Sequence, residues 1–139
     1  MSKVLIDTNV LIYSVEKGES RKNEKAIALI DELITTNRLA VSVQNIVEFS
    51  RVLLEKVSPP QKHDDVIKYV CRYLELSYVI RYDGNTVIRA VSIAKEYKIH
   101  FFDALLVATM QENGIEEIIT ENTEDFRKIQ WLKVKNPFG

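Results

Sequence analysis

The chain alternates short apolar runs with longer stretches of helical period. Val4-Leu5-Ile6 is a run of buried-strand type that stops at Asp7. Val10, Leu11 and Tyr13 then begin a short helix ending near Gly18. Ser20 is placed to cap a second helix, in which Ala26, Ile27, Ile30, Leu33 and Ile34 recur at i, i+3/i+4 spacing. Leu39-Ala40-Val41 reads as a second strand, and Ser42 caps a helix carrying Val43, Ile46, Val47, Leu53 and Leu54. Ser58-Pro59-Pro60 ends that helix, because proline lacks the backbone donor and disfavours helix in the residue before it. Val66, Ile67, Val70, Cys71 and Leu74 form the apolar stripe of the next helix, with His63 at its start and Cys71 expected in the core. Tyr78-Val79-Ile80 is a third strand. Asp83-Gly84-Asn85 turns into a helix holding Val87, Val91, Ala94 and Tyr97. Asp103 is expected to open a helix whose early turns, Ala104 to Ala108, are nearly all apolar and therefore central. Gly114 suits its end. Ile118-Ile119 is a fourth strand and Trp131-Leu132-Lys133-Val134 a fifth.

Strands alternating with helices predict an α/β fold with a mostly parallel sheet of four to five strands. The 139 residues suit one domain over 1–139, without repeat, linker or low-complexity segment. A hydrophobic share of 46% supports a packed core, and a net charge of −1 excludes a protein that coats nucleic acid by bulk charge. The single cysteine and two histidines exclude an internal disulfide framework and a structural zinc module. The four glycines, at 18, 84, 114 and 139, cannot build a Walker loop or a GxGxxG fingerprint. No run is long and apolar enough for a membrane span, and a charge follows too soon after the start for a signal peptide. A cytoplasmic protein with no membrane partner is the expectation.

In open parallel sheets, ligands collect outside the carboxyl ends of the strands. Acids recur there. Asp7 follows the first strand within Asp7-Thr8-Asn9, Glu48 lies in the helix after the second, and Asp103 follows Phe101-Phe102. After the fourth strand comes Thr120-Glu121-Asn122-Thr123-Glu124-Asp125-Phe126. Each has an ordinary structural explanation. Asp7 and Asp103 can cap helices, Glu48 has the spacing to pair with Arg51, and Asn122 and Asp125 can shape a turn. Jointly they ask for more, since converging carboxylates repel by about 4 kcal/mol per pair at roughly 4 Å and an effective dielectric near 20. Protonation, pairing with Lys or Arg, or a hard divalent cation would relieve this. Apart from Lys3, four positions before Asp7, no Lys or Arg stands close in sequence to Asp7 or Asp103. Oxygen-only ligands select Mg2+ or Mn2+ over zinc.

These motifs resemble the PIN domain, a family of metal-dependent ribonucleases. The resemblance rests on Asp7-Thr8-Asn9-Val10-Leu11-Ile12-Tyr13, Glu48, Asp103-Ala104-Leu105-Leu106-Val107-Ala108 and Thr120-x-Asn122-x-x-Asp125-Phe126, in that order from about position 4 to 137. It implies a three-layer α/β/α sandwich and a metal held by Asp7, Glu48 and Asp103. The fourth family position, often Asp, is Asn122 here with Asp125 three residues on. Asp125 is carried with the three acids as a catalytic candidate. Asn9 is implied to orient Asp7, and Thr120 to supply a hydroxyl contact. The implied reaction is hydrolysis of an RNA phosphodiester by water that an Mg2+ or Mn2+ ion makes more acidic. Asp7 and Asp103 would be ligands, Glu48 a ligand or proton acceptor, and no covalent nucleophile is needed. Length and a stand-alone domain look most like a VapC-type toxin, which implies a homodimer and a small antitoxin partner.

The remaining polar and aromatic residues carry weaker signals. His100 is expected to be a loop histidine facing solvent, and Phe101-Phe102 a core pair rather than a base-stacking platform. Tyr13 is expected to be buried. Arg21, Lys22, Lys25, Arg51 and Lys56 are candidates for phosphate contact. Phosphoaspartate hydrolases need Asp-x-Asp-x-Thr, but Asn9 and Leu11 stand at the third and fifth places. Response-receiver domains need a phospho-acceptor Asp ending the third strand, where Ile80-Arg81-Tyr82-Asp83 does not comply. The alternatives kept are a non-catalytic PIN-like module binding RNA or protein, and a PIN nuclease of RNA processing without an antitoxin.

Overall fold

The computed structural model describes residues 2–139. Five strands, β1 (Val4–Ile6), β2 (Leu39–Ser42), β3 (Tyr78–Ile80), β4 (Glu117–Ile119) and β5 (Lys133–Lys135), form one sheet in the order β3-β2-β1-β4-β5. Every pairing is parallel, with Leu5 opposite both Ala40 and Ile118. Six helices connect them: α1 (Thr8–Val15), α2 (Ser20–Thr35), α3 (Val43–Glu55), α4 (His63–Leu76), α5 (Gly84–Tyr97) and α6 (Phe101–Glu112). The expected α/β sandwich is therefore present, and its fifth strand starts two residues later than the apolar run.

The period of two along the strands divides the interior into two cores. Leu5, Ala40, Ile80 and Ile118 face one side, against Ala90 of α5 and the buried Ala104 to Ala108 of α6. Val4, Ile6, Leu39, Val41 and Ile119 face the other, against residues of α1, α2, α3 and α4. Because β1 is covered on both sides, all three of its residues are buried. The sheet runs outward from β1 to β2 and β3, then returns past β1 to β4. The reversal opens a crevice at the carboxyl ends of β1 and β4. Asp7 and Thr120 are the residues that follow those two strands.

Local signals explain most boundaries. The Ser42 hydroxyl accepts from the Asn45 backbone to cap α3, and Asp83 with Thr86 forms a capping box on α5. Gly114, at φ 69, takes the left-handed conformation that stops α6. Three expectations are corrected. First, α6 begins at Phe101 with His100 as its cap, so Asp103 lies in the first turn and does not open the helix. Second, Phe101 and Phe102 are exposed, 38% and 63%, because that turn projects past the sheet edge where no layer covers it. Third, Cys71 is exposed together with Ile67 and Leu74. α4 instead buries Val66 and Tyr73, since Tyr69 and Tyr73 set their ring edges on the fully buried Phe49 of α3. Among the described residues, no helix is long and apolar enough to cross a membrane.

That aromatic contact holds α4 to α3, so Phe49→Ala is expected to cost roughly 3–5 kcal/mol of stability. Cys71→Ser on the exposed face should change it by less than about 0.5 kcal/mol. Urea unfolding of both variants checks the assignment of faces.

Candidate functional site

At the crevice, β1 delivers Asp7, α3 delivers Glu48, and the first turn of α6 delivers Asp103. All three line one recess of about 450 Å3, together with Thr8, Asn9 and Asn122. A second recess of about 480 Å3 shares Asp103 and Asn122 and adds His100, Glu121 and Asp125. The predicted acids are thus gathered at one edge of the sheet, with Asp103 common to both halves.

Asp7 is held by hydrogen bonds from three segments. Its Oδ1 accepts from the Thr8 backbone N–H at 2.8 Å and from Asn45 Nδ2 at 3.2 Å, while Oδ2 accepts from the Thr120 hydroxyl at 2.7 Å. Asn9 joins the strand ends: its Nδ2 donates to Thr120 Oγ1 at 3.2 Å, and its Oδ1 accepts from the Glu121 backbone at 3.1 Å. Asn9 therefore reaches Asp7 through Thr120. Asn45, only 1% exposed, is itself fixed, because its Oδ1 accepts from Ser42 Oγ at 2.6 Å. Its second donor reaches Thr8 Oγ1, which donates to Glu48 Oε2 at 3.4 Å. On the other Glu48 oxygen, Gln44 Nε2 donates at 3.3 Å, and the same amide nitrogen donates to the Phe102 carbonyl at 2.9 Å. Sequence reading missed Asn45 and Gln44. The available signal was a pair of amides one helical turn before Glu48, on the face that turns inward.

Electrostatically the site is under-compensated. Burial raises the Asp7 carboxyl above its ordinary 3.8, with Glu48 adding to the rise against the lowering hydrogen bonds of Thr120, Thr8 and Asn45. Asp103 is pushed up to about 7 by burial, by its neighbour Asp125 and by Asp7. For Asp125, burial raises the carboxyl, but the His100 backbone N–H, Asp103 and the His100 ring outweigh it and hold it at about 2. The His100 ring lies 2.7 Å from Asp125 Oδ2 and its pKa is raised, first by that hydrogen bond. His100 is 89% exposed at the side chain, as expected, yet it caps α6 and grips Asp125. Ligand-type atoms of His100, Asp103 and Asp125 lie within 4.8 Å of one another.

Among the described residues, no Lys or Arg forms an ion pair with Asp7, Glu48 or Asp103. Arg51 pairs with Glu55 instead of Glu48, at 3.9 Å. Lys22 is taken by Glu121 and lies 5.0 Å from the Tyr13 ring centroid, so it is not a free phosphate contact. Tyr13, half-buried, donates to Glu121 and stacks edge-on with Phe138. Of the three ways to relieve the repulsion, pairing with a basic side chain is not used at these acids. The donor set is carboxylate and amide oxygen, which fits a hard divalent cation.

The PIN domain family model matches residues 4–132. The chain belongs to the PIN domain family. It is a family of nucleases, so the protein is a hydrolase acting on nucleic acid. No curated protein matches the chain in sequence. Among solved structures, a toxin–antitoxin complex from Klebsiella pneumoniae is similar at 25% identity and TM-score 0.70, over 97% of this chain and 98% of that one. FitAB bound to a DNA fragment gives 21% identity and TM-score 0.75, over 98% and 96%. Mycobacterium tuberculosis VapC20, described as a sarcin–ricin loop cleaving toxin, gives 15% and 0.66, over 90% and 94%. The last two likenesses establish the fold.

The raised Asp103 carboxyl fixes the sign of a pH effect. Between 3.8 and about 7, the folded metal-free chain holds a proton at Asp103 that the unfolded chain has released, so stability falls as pH rises through that window. His100, also raised, loses its contribution in the same direction, whereas the Asp125 effect is confined to more acid pH. In chelator, Tm should decline from pH 5 to pH 7.5, and Asp103→Asn should flatten the decline.

Proposed function

We propose that this PIN domain is a divalent-metal-dependent endoribonuclease and the toxin of a type II toxin–antitoxin pair. The observation that carries the reading is the recess in which Asp7, Glu48 and Asp103, from three distant segments, meet without a basic partner. Such a pocket is unfavourable when empty and ionised, and becomes favourable with a doubly charged ion. Asp7, Asp103 and Glu48 would hold Mg2+ or Mn2+, with Asn122 and Asp125 flanking them. When bound, the ion supplies positive charge against the charge accumulating on phosphate oxygens and makes water more acidic.

The chain's own groups do the rest. Thr120 and Asn45 fix the two oxygens of Asp7 at the strand edge, so a phosphodiester is met by acids already in place. Glu48 accepts from Gln44 Nε2 at 3.3 Å and from Thr8 Oγ1 at 3.4 Å, and it would serve as a ligand or as the proton acceptor for the attacking water. Asp125, gripped by His100, holds the loop after β4 against the first turn of α6. Phosphoryl hydrolysis of this kind needs positioning and charge placement more than a covalent nucleophile, and neither histidine is placed as a required base.

The toxin reading is supported by the toxin–antitoxin assembly from Klebsiella pneumoniae and by the cleaving toxin VapC20. It carries a small antitoxin as partner. The exposed Ile88 and Val91 on α5 offer an apolar face for the homodimer that VapC-like chains imply.

Replacing Asp7 with Asn tests the metal and the reaction together. Mn2+-dependent cleavage of structured RNA should fall at least about a hundredfold, since an outer partner of a metal ligand already costs 10- to 100-fold. Unchanged cleavage would reject the site. An inactive starting protein that binds RNA or a partner would instead favour the non-catalytic module.

A further inference from the structure

Gln44 is the residue whose chemistry the family acids do not account for. It lies one turn before Glu48 on α3 and is 8% exposed. Its amide nitrogen has two acceptors, Glu48 Oε1 at 3.3 Å and the carbonyl of Phe102 at 2.9 Å, immediately before Asp103. The orientation is forced. Turning the amide over would set its oxygen against a carboxylate and a carbonyl, neither of which can donate. The consequence is an Oε1 that is buried without a partner, the one such side-chain atom among the described residues. A core that could choose freely would not keep an orphaned acceptor there.

We propose that Gln44 is a positioning residue that sets the separation of Glu48 from the Asp103 turn and thereby tunes the pocket's affinity for a divalent cation. The proposal rests on the metal-dependent reading of the site. α3 packs in the core on one side of the sheet, and α6 in the core on the other. No backbone hydrogen bond need fix the two acids relative to each other, and the Gln44 amide is a direct polar tie between their elements. It carries no charge and is not among the residues that line the recess, so its effect passes through the groups it holds.

The test uses the full chain and Mn2+ as probe. Free Mn2+ is followed by its electron paramagnetic resonance signal during titration, alongside RNA cleavage against Mn2+ concentration and urea unfolding. Gln44→Met keeps length and approximate volume and deletes both donors. Its Mn2+ dissociation constant should rise roughly 10- to 100-fold, with the Mn2+ needed for half-maximal cleavage rising in step and the RNA KM at saturating Mn2+ unchanged. Thr109→Val, a buried change in α6 whose hydroxyl bonds only the Leu105 carbonyl, serves as the packing control and should leave Mn2+ affinity unaltered. Gln44→Leu replaces the methionine variant if that one does not fold. Wild-type Mn2+ affinity in the Gln44 variants overturns the proposal, as does an equal loss in Thr109→Val. Failure of both Gln44 variants to fold assigns the residue to packing and also overturns it. If the wild type binds Mn2+ but cleaves no RNA, the ribonuclease reading fails and the titration still decides Gln44. If it binds no Mn2+, both fall.

Discussion

Like charge held together at the end of a parallel sheet is the constraint around which this molecule is organised. Asp7 and Asp103 both sit above their ordinary pKa because burial and neighbouring carboxyls disfavour their ionised forms. Nothing about the core requires this. The apolar residues of β1 and β4 would pack equally well with neutral caps beyond them. The fold tolerates the repulsion by surrounding the acids with uncharged donors, Thr120, Asn45, Thr8 and Gln44, which hold carboxylate oxygens without cancelling their charge. A lysine or arginine in any of those places would have stabilised the empty pocket and closed it to a cation.

The sheet order makes the gathering possible. Parallel strands send all their carboxyl ends to one edge, and the reversal between β1 and β4 leaves a gap there that no crossover helix fills. Asp7 enters from the central strand, and Glu48 from one turn into the helix after β2. Asp103 enters from the other face of the sheet. The second grouping, His100 with Asp103 and Asp125, extends the same edge toward solvent. There the Asp103 carboxyl is raised and its neighbour Asp125 lowered, because Asp125 has the His100 backbone N–H and ring to stabilise its charge.

How much of this was legible in the sequence depends on whether an interaction is local. The strands, the Ser42 cap of α3 and the acids near the carboxyl edge follow from runs and periods a few residues long and appear where the pattern puts them, whereas α2 and α6 are capped by Glu19 and His100 and not by Ser20 and Asp103. The α4 stripe misleads because periodicity identifies an apolar face without saying which neighbour has room for it. Large rings at Tyr69 and Tyr73 found Phe49, and Ile67, Cys71 and Leu74 were left outside. Phe101 and Phe102 read as core for the same reason, their exposure being a matter of where the sheet ends. The pairing of Lys22 with Glu121, 99 positions apart, has no local trace at all. Asn45 and Gln44 lie between these cases: their spacing from Glu48 is visible, but their partners Asp7 and Phe102 belong to other segments.

The division of the interior has an effect on how the protein can fail. Glu48 and Asp7 belong with the layer of α1 to α4, whereas Asp103 rides on the layer of α5 and α6, and the two apolar interiors are separated by the sheet. Free energies of opening differ between such units, and the less stable one can loosen while its counterpart stays intact. A displacement of α6 relative to the sheet would carry Asp103 away from Asp7 and Glu48 and scatter the carboxylates. Loss of catalytic competence on gentle heating would then precede melting, and an inactive chain could still look native to any probe of bulk secondary structure.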